Sequence, residues 1–192
     1  MFNKNVIKFN FKPVIVAALA AFSSAGVTAN DGTITFAGEV SAATCIITGG
    51  DNTSPNQGAD FTVTLPKIST SALTTEKPYA GDTEFHITLS GNECPNGTNA
   101  NVIFERAQST NIDTATGYLK NTVVKDGAKN VMIRILNKDK KFLNLNSTNL
   151  NHQTVVITEH AARFDYWAQY VATGSTSPGT VKSDVVYSIS YL

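Results

Sequence analysis

Apolar residues at every second position, in short runs, are the feature that most constrains this chain. Ile34, Phe36, Gly38, Val40 and Ala42 share one face of such a run, and Phe61, Val63 and Leu65 another that stops at Pro66. Phe85, Ile87 and Leu89 follow, ending at Gly91, and Val131, Ile133 and Ile135 oppose Met132 and Arg134. Phe164, Tyr166, Ala168 and Tyr170 come next, then Val181, Val185, Tyr187, Ile189 and Tyr191. A period of two describes a strand with one face buried and the other wet. Turn residues fill the gaps, at Gly49-Gly50-Asp51-Asn52, Pro95-Asn96-Gly97, Asp126-Gly127 and Ser177-Pro178-Gly179. Residues 106 to 122 are polar and weakly patterned, as in a long connection. Only residues 157 to 168 hint at a helix, and Thr158, Tyr166 and Trp167 weaken that reading. The expectation is an all-β chain: one sandwich preceded by an extended arm.

The first 29 residues stand apart from that fold. Lys4, Lys8 and Lys12 supply positive charge without an acidic residue, and Val14 to Phe22 form an unbroken apolar run of nine. Small residues then lead to Val27-Thr28-Ala29, which suits cleavage after Ala29; Ser23-Ser24-Ala25 is also permissible. A membrane anchor is the alternative, but nine residues reach only about half of what a ~30 Å hydrocarbon core requires. The layout is that of a secretory signal peptide, and the expected route is export.

Without that segment, and its three lysines, twelve basic residues face fifteen acidic ones, a net of −3 against zero for the whole chain. No basic patch remains to attract nucleic acid or an anionic membrane. Cys45 and Cys94 are the two cysteines, 49 positions apart. In an exported chain an even pair most simply means one disulfide, whereas a redox role would want a Cys-x-x-Cys pair.

Catalytic signals are missing from the sequence. His86, His152 and His160 are not at metal-ligand spacing, and the alternation places His86 on the exposed face opposite Phe85 and Ile87. Asp60, Asp82, Glu84 and Glu93 are scattered, and there is neither a Gly-x-Ser-x-Gly elbow nor a phosphate-binding glycine loop. No cofactor, metal or catalytic residue is expected. Asn52-Thr53-Ser54, Asn96-Gly97-Thr98 and Asn146-Ser147-Thr148 match the glycan acceptor pattern and read as turns. The informative features are at the two ends. Residues 30 to 42 alternate but have no local hairpin partner before Cys45. On pattern alone the arm pairs within its own domain as a first strand; otherwise it needs a groove elsewhere, because a lone strand exposing Ile34 and Phe36 invites aggregation.

Those ends resemble the subunits of bacterial fimbriae assembled by the chaperone–usher route, the type 1 and P pilin group. The arm is similar to their donor strand, with Ile34, Phe36, Gly38 and Val40 alternating around a glycine and leading into Cys45. Gly179, fourteenth from the end, is followed by Val181, Val185, Tyr187, Ile189 and the penultimate Tyr191, similar to the family's closing strand. Val102-Ile103-Phe104, Val131 to Leu136 with Leu143 and Leu145, and residues 166 to 174 also look like family strands. Residues 51 to 60 and 106 to 122 match no family feature.

The resemblance implies an immunoglobulin-like sandwich lacking its last strand, over 44–192, with a donor-strand extension at 30–43. It implies that the strand carrying Tyr191 borders an open groove. A periplasmic chaperone fills that groove first, and the arm of the next subunit fills it at the outer-membrane usher. The implied protein is a fimbrial shaft subunit at the cell surface, joined head to tail to neighbouring pilins and meeting a host receptor only through the whole fimbria. The alternative is a single-domain tip adhesin or adaptor that holds a host glycan with Trp167 or Tyr118.

Overall fold

A computed structural model describes residues 45–148 and 153–192, and the features read above for residues 1–44 lie outside that range. The described residues form strands β1 (Ile46–Asp51), β2 (Tyr79–Ser90), β3 (Asn99–Phe104), β4 (Leu119–Lys120), β5 (Val131–Asn137), β6 (Phe142–Leu143), β7 (Thr154–Val156), β8 (Ala161–Ala172) and β9 (Tyr187–Tyr191). A single 3-10 turn, Thr70–Ala72, is the one helical element among them.

Two sheets result. The larger runs β1-β2-β8-β5-β4, with β6 also on β5, and the smaller runs β7-β3-β9. All the strand pairs are antiparallel. The core lies where the alternating faces meet. Phe85, Ile87 and Leu89 of β2, Phe164, Tyr166 and Ala168 of β8, and Ile133 and Ile135 of β5 pack with Ala100, Val102 and Phe104 of β3. Tyr166 joins the layers: its ring stacks on Phe85 at 5.3 Å and meets Phe104 edge-on at 5.5 Å. The expected bridge is present, Cys45 to Cys94 with Cα atoms 4.5 Å apart.

Three expectations need correction. The helical hint over 157 to 168 gives way to β8, a twelve-residue strand held between β2 and β5. It starts from a two-residue reversal in which Glu159 and His160 take φ of 51° and 59°. The His160 amide donates to Asn96 Oδ1 at 2.7 Å and its ring Nδ1 lies 2.8 Å from the Cys94 carbonyl, which helps hold that backbone shape. His86 is buried rather than exposed, because residues 52–58 fold over the outer face of β2 and bring the Pro55 carbonyl to 2.9 Å from Nε2. The closing ladder is shorter than the alternation suggested. Paired strand covers only Tyr187–Tyr191, while Gly179, Val181 and Val185 lie on an approach outside the ladder.

Candidate functional site: two facing rims of an apolar groove

The last segment of the chain is one side of the site. Its even-numbered residues bond toward β3 and the loops beside it. Asn99 and Leu192 exchange both backbone bonds, the Glu105 amide donates to the Val186 carbonyl, and the Thr122 amide donates to the Lys182 carbonyl. In an antiparallel ladder such pairs alternate, so the odd residues turn their N–H and C=O groups away from β3. Val181, Ser183, Val185, Tyr187, Ile189 and Tyr191 are those odd residues, all half-buried, and the apolar ones pack on the core. Among the described residues β9 is the edge of its sheet. Burial raises the phenol pKa of Tyr187 and Tyr191, and the charge of Asp60 adds to the shift of Tyr187.

Residues 61–65 are the opposite side. Phe61, Val63 and Leu65 are half-buried against the core, Thr62 and Thr64 are exposed, and among the described residues no ladder includes them. Two side chains do the work of a neighbouring strand. The Gln57 amide clamps Thr62, accepting from its N–H at 3.0 Å and donating to its carbonyl at 2.9 Å. Asp51 Oδ2 accepts from the Thr64 N–H at 2.7 Å, while Oδ1 accepts from the Thr53 hydroxyl and from the Thr53 and Ser54 amides. Burial alone would raise the Asp51 carboxyl, but these bonds outweigh it and hold the pKa at about 2. With Thr62 and Thr64 tied to one side, the backbone groups of Phe61, Val63 and Leu65 have no partner among the described residues.

Aromatic contacts connect the two rims. The Phe61 ring lies 6.1 Å from that of Tyr187, and the Tyr187 hydroxyl donates to the Ala59 carbonyl at 2.7 Å. At one end the groove opens into a cavity of about 620 Å³ whose walls include Leu65, Ile68, Leu73, Val131, Tyr170 and Val181. Gly179 borders it because the chain passes the 127–128 loop too closely for a side chain: a Cβ there would lie 2.3 Å from the Ala128 nitrogen. What the arrangement offers is apolar surface flanked by backbone groups that can take up another strand.

Comparison with known proteins supplies the family and the fold. The profile of a family described as Fimbrial protein matches residues 34–192. The F17 fimbrial protein of Escherichia coli is 38% identical over 183 residues, 92% of this chain and 96% of its own. The chain belongs to the fimbrial protein family. The major fimbrial subunit SMF-1 of Stenotrophomonas maltophilia strain K279a is 36% identical over 169 residues, covering 85% of this chain and 94% of its own. Among solved structures, a subunit of a chaperone–usher pilus superposes with a TM-score of 0.53 at 13% identity, covering 85% of this chain and 96% of its own. The P pilus rod subunit PapA superposes with 0.50 at 14% identity, covering 70% and 94%. At such identities the likeness shows the fold, an immunoglobulin-like pilin sandwich.

In this fimbrial protein the structure gathers Val181, Val185, Tyr187, Ile189 and Tyr191 along one rim and joins Cys45 to Cys94. The donor-strand residues Ile34, Phe36, Gly38 and Val40 lie outside the described residues. Trp167 is half-buried under the Lys140 ammonium, 4.0 Å from its ring centre, and Tyr118 packs edge-on against Phe142 at 5.1 Å. The opposite rim is what the sequence reading missed as part of a site. Its signal was present in Phe61, Val63 and Leu65, but nothing in the pattern tells a strand with a partner from one without.

Proposed function

We propose that this chain is a structural subunit of a bacterial fimbria, with no catalytic role, that polymerises head to tail by strand donation. The arm 30–43 of one subunit fills the groove between residues 61–65 and 181–191 of the next. One observation carries the reading: both rims turn apolar side chains to the core, and the backbone groups of those residues have no partner on the groove side among the described residues. Wet core side chains and an unpaired strand edge make an empty groove costly, and an inserted strand relieves both. Burying Ile34, Phe36 and Val40 would contribute roughly 5–9 kcal/mol gross, before ordering costs.

Because the arm and the groove are different surfaces, the contact does not close on itself and yields a filament. The same groove suits a periplasmic chaperone strand before assembly at an outer-membrane usher, after export directed by residues 1–29.

The test removes residues 30–42. The shortened chain should accept a synthetic peptide of residues 30–43 and gain a cooperative unfolding transition, yet fail to join other subunits. A shortened chain that folds unaided into a stable monomer would end the strand-donation reading. Gly38→Trp in the full-length chain should reach the periplasm and leave cells without fimbriae, as counted by electron microscopy. Normal fimbriae from that variant would contradict the role of the arm.

A further inference from the structure

Ser183 is the odd member of its rim. Along residues 181–191 the odd positions read Val, Ser, Val, Tyr, Ile, Tyr, and Ser183 alone puts a short polar side chain among aliphatic and tyrosine side chains. Its neighbours are fully engaged: the Lys182 amide donates to Asn121 Oδ1 at 3.0 Å, and Asp184 Oδ1 accepts from Asn111 Nδ2 at 2.8 Å. The Ser183 hydroxyl is buried with no hydrogen-bond partner, the one such side-chain atom among the described residues. A buried hydroxyl without a partner is unfavourable, and natural folds rarely leave one.

We infer that Ser183 sets the register of the groove, its hydroxyl hydrogen-bonding the main chain of the inserted strand where that strand carries glycine. The inference rests on the strand-donation reading. The arm reads Ile34, Phe36, Gly38, Val40 at alternate positions, so each partner interrupts its apolar series once, the arm at Gly38 and this part of the rim at Ser183. Set antiparallel with Gly38 opposite Ser183, Val40 meets Val181, Phe36 meets Val185 and Ile34 meets Tyr187. Each large apolar residue of the arm, Ile34, Phe36 and Val40, then faces an apolar residue of the rim, and only the small Ala42 falls on Gly179. Set parallel with the same match, Ile34 falls on Gly179 and the small Ala42 on Tyr187, which wastes two burials. Opposite residues in a ladder stand with Cβ atoms about 5 Å apart, so a side chain on the strand would cover the hydroxyl with carbon. Glycine leaves its main chain within reach. A shift of two residues in either direction would put Phe36 or Val40 over the hydroxyl, and that penalty selects one register.

Filaments assembled from the full-length chain provide the test. Ser183→Ala and Ser183→Cys variants are compared with the unaltered chain for the rate at which subunits separate in denaturant. Ser183→Ala filaments should separate about five- to ten-fold faster, the effect of one lost hydrogen bond, and Ser183→Cys filaments, with a weaker donor of similar shape, should fall between. A crosslinking arm reads register directly: Val40→Cys with Val181→Cys should link neighbouring subunits, whereas Phe36→Cys with Val181→Cys should not. Unchanged separation rates in both serine variants overturn the inference, as does crosslinking only in the second pair, while Gly38→Trp still blocking assembly would leave strand donation standing. Filaments that form normally with Gly38→Trp remove the strand-donation reading and this inference with it.

Discussion

Asp51 gathers four hydrogen bonds on one carboxylate at the end of β1 and is 1% exposed. Its pKa is lowered from 3.8 to about 2, so the folded state favours the charged form. The stabilisation is fully present above the unfolded value near 4 and is lost as pH falls from about 4 through about 2. That difference corresponds to about 2 kcal/mol. Denaturant midpoints measured from pH 5 to pH 2 should fall steeply for the unaltered chain. For Asp51→Asn they should start lower and fall less. Gly49 is the second pressure point, for a steric reason. A Cβ there would lie 2.3 Å from the Phe61 ring. Gly49→Val should push Phe61 off its seat and cost about 1–3 kcal/mol, read as a lower thermal midpoint.

At the scale of the element, β9 should show two kinds of amide in one strand. Ser188 and Ser190 pair with Ile103 and Asn101 in the hydrogen-bonded positions of the ladder, whereas Tyr187, Ile189 and Tyr191 point their N–H groups the other way. Hydrogen exchange of subunits with an empty groove should be slow at the two serines and fast at Tyr187 and Ile189. Filling the groove with the arm peptide should slow both classes. Uniform protection without the peptide would mean the edge is already covered.

The strands of the core were legible in the sequence because side-chain alternation is a local property. Phe85, Ile87 and Leu89, and Phe164, Tyr166 and Ala168, face inward as that pattern requires. The start of β8 was obscured because Glu159-His160 makes its tight reversal without glycine or asparagine, relying on Asn96 and Cys94 from a distant loop. His86 was misplaced for a similar reason, since its cover comes from residues 52–58 and not from its own strand. Half of the candidate site was legible, namely Tyr187 to Tyr191 with the approach from Gly179. The other half was not, since the clamp of Gln57 and Asp51 on Thr62 and Thr64 exists only after the chain folds back.

For the molecule as a whole, the bridge between Cys45 and Cys94 closes a loop of 49 residues around β1, the crossing loops and β2. Chain-entropy reasoning gives about 4 kcal/mol for a loop of that length. Cys45→Ser should therefore lower the denaturant midpoint and the yield of folded subunit under oxidising conditions. Equal stability of the two forms would show that the bridge contributes little.

The position of that bridge has a mechanical consequence. Among the described residues β1 is an edge strand, joined to β2 from the Ile46 and Ser90 pair onward, and Cys45 immediately precedes it. Tension arriving from the preceding residues would otherwise open this ladder one rung at a time, beginning at Ile46. With the sulfur link beside the first rung, the pull is shared at once with β2, which is held on both flanks. The rungs must then slide together or not at all, so a reduced filament should peel at lower force than an oxidised one.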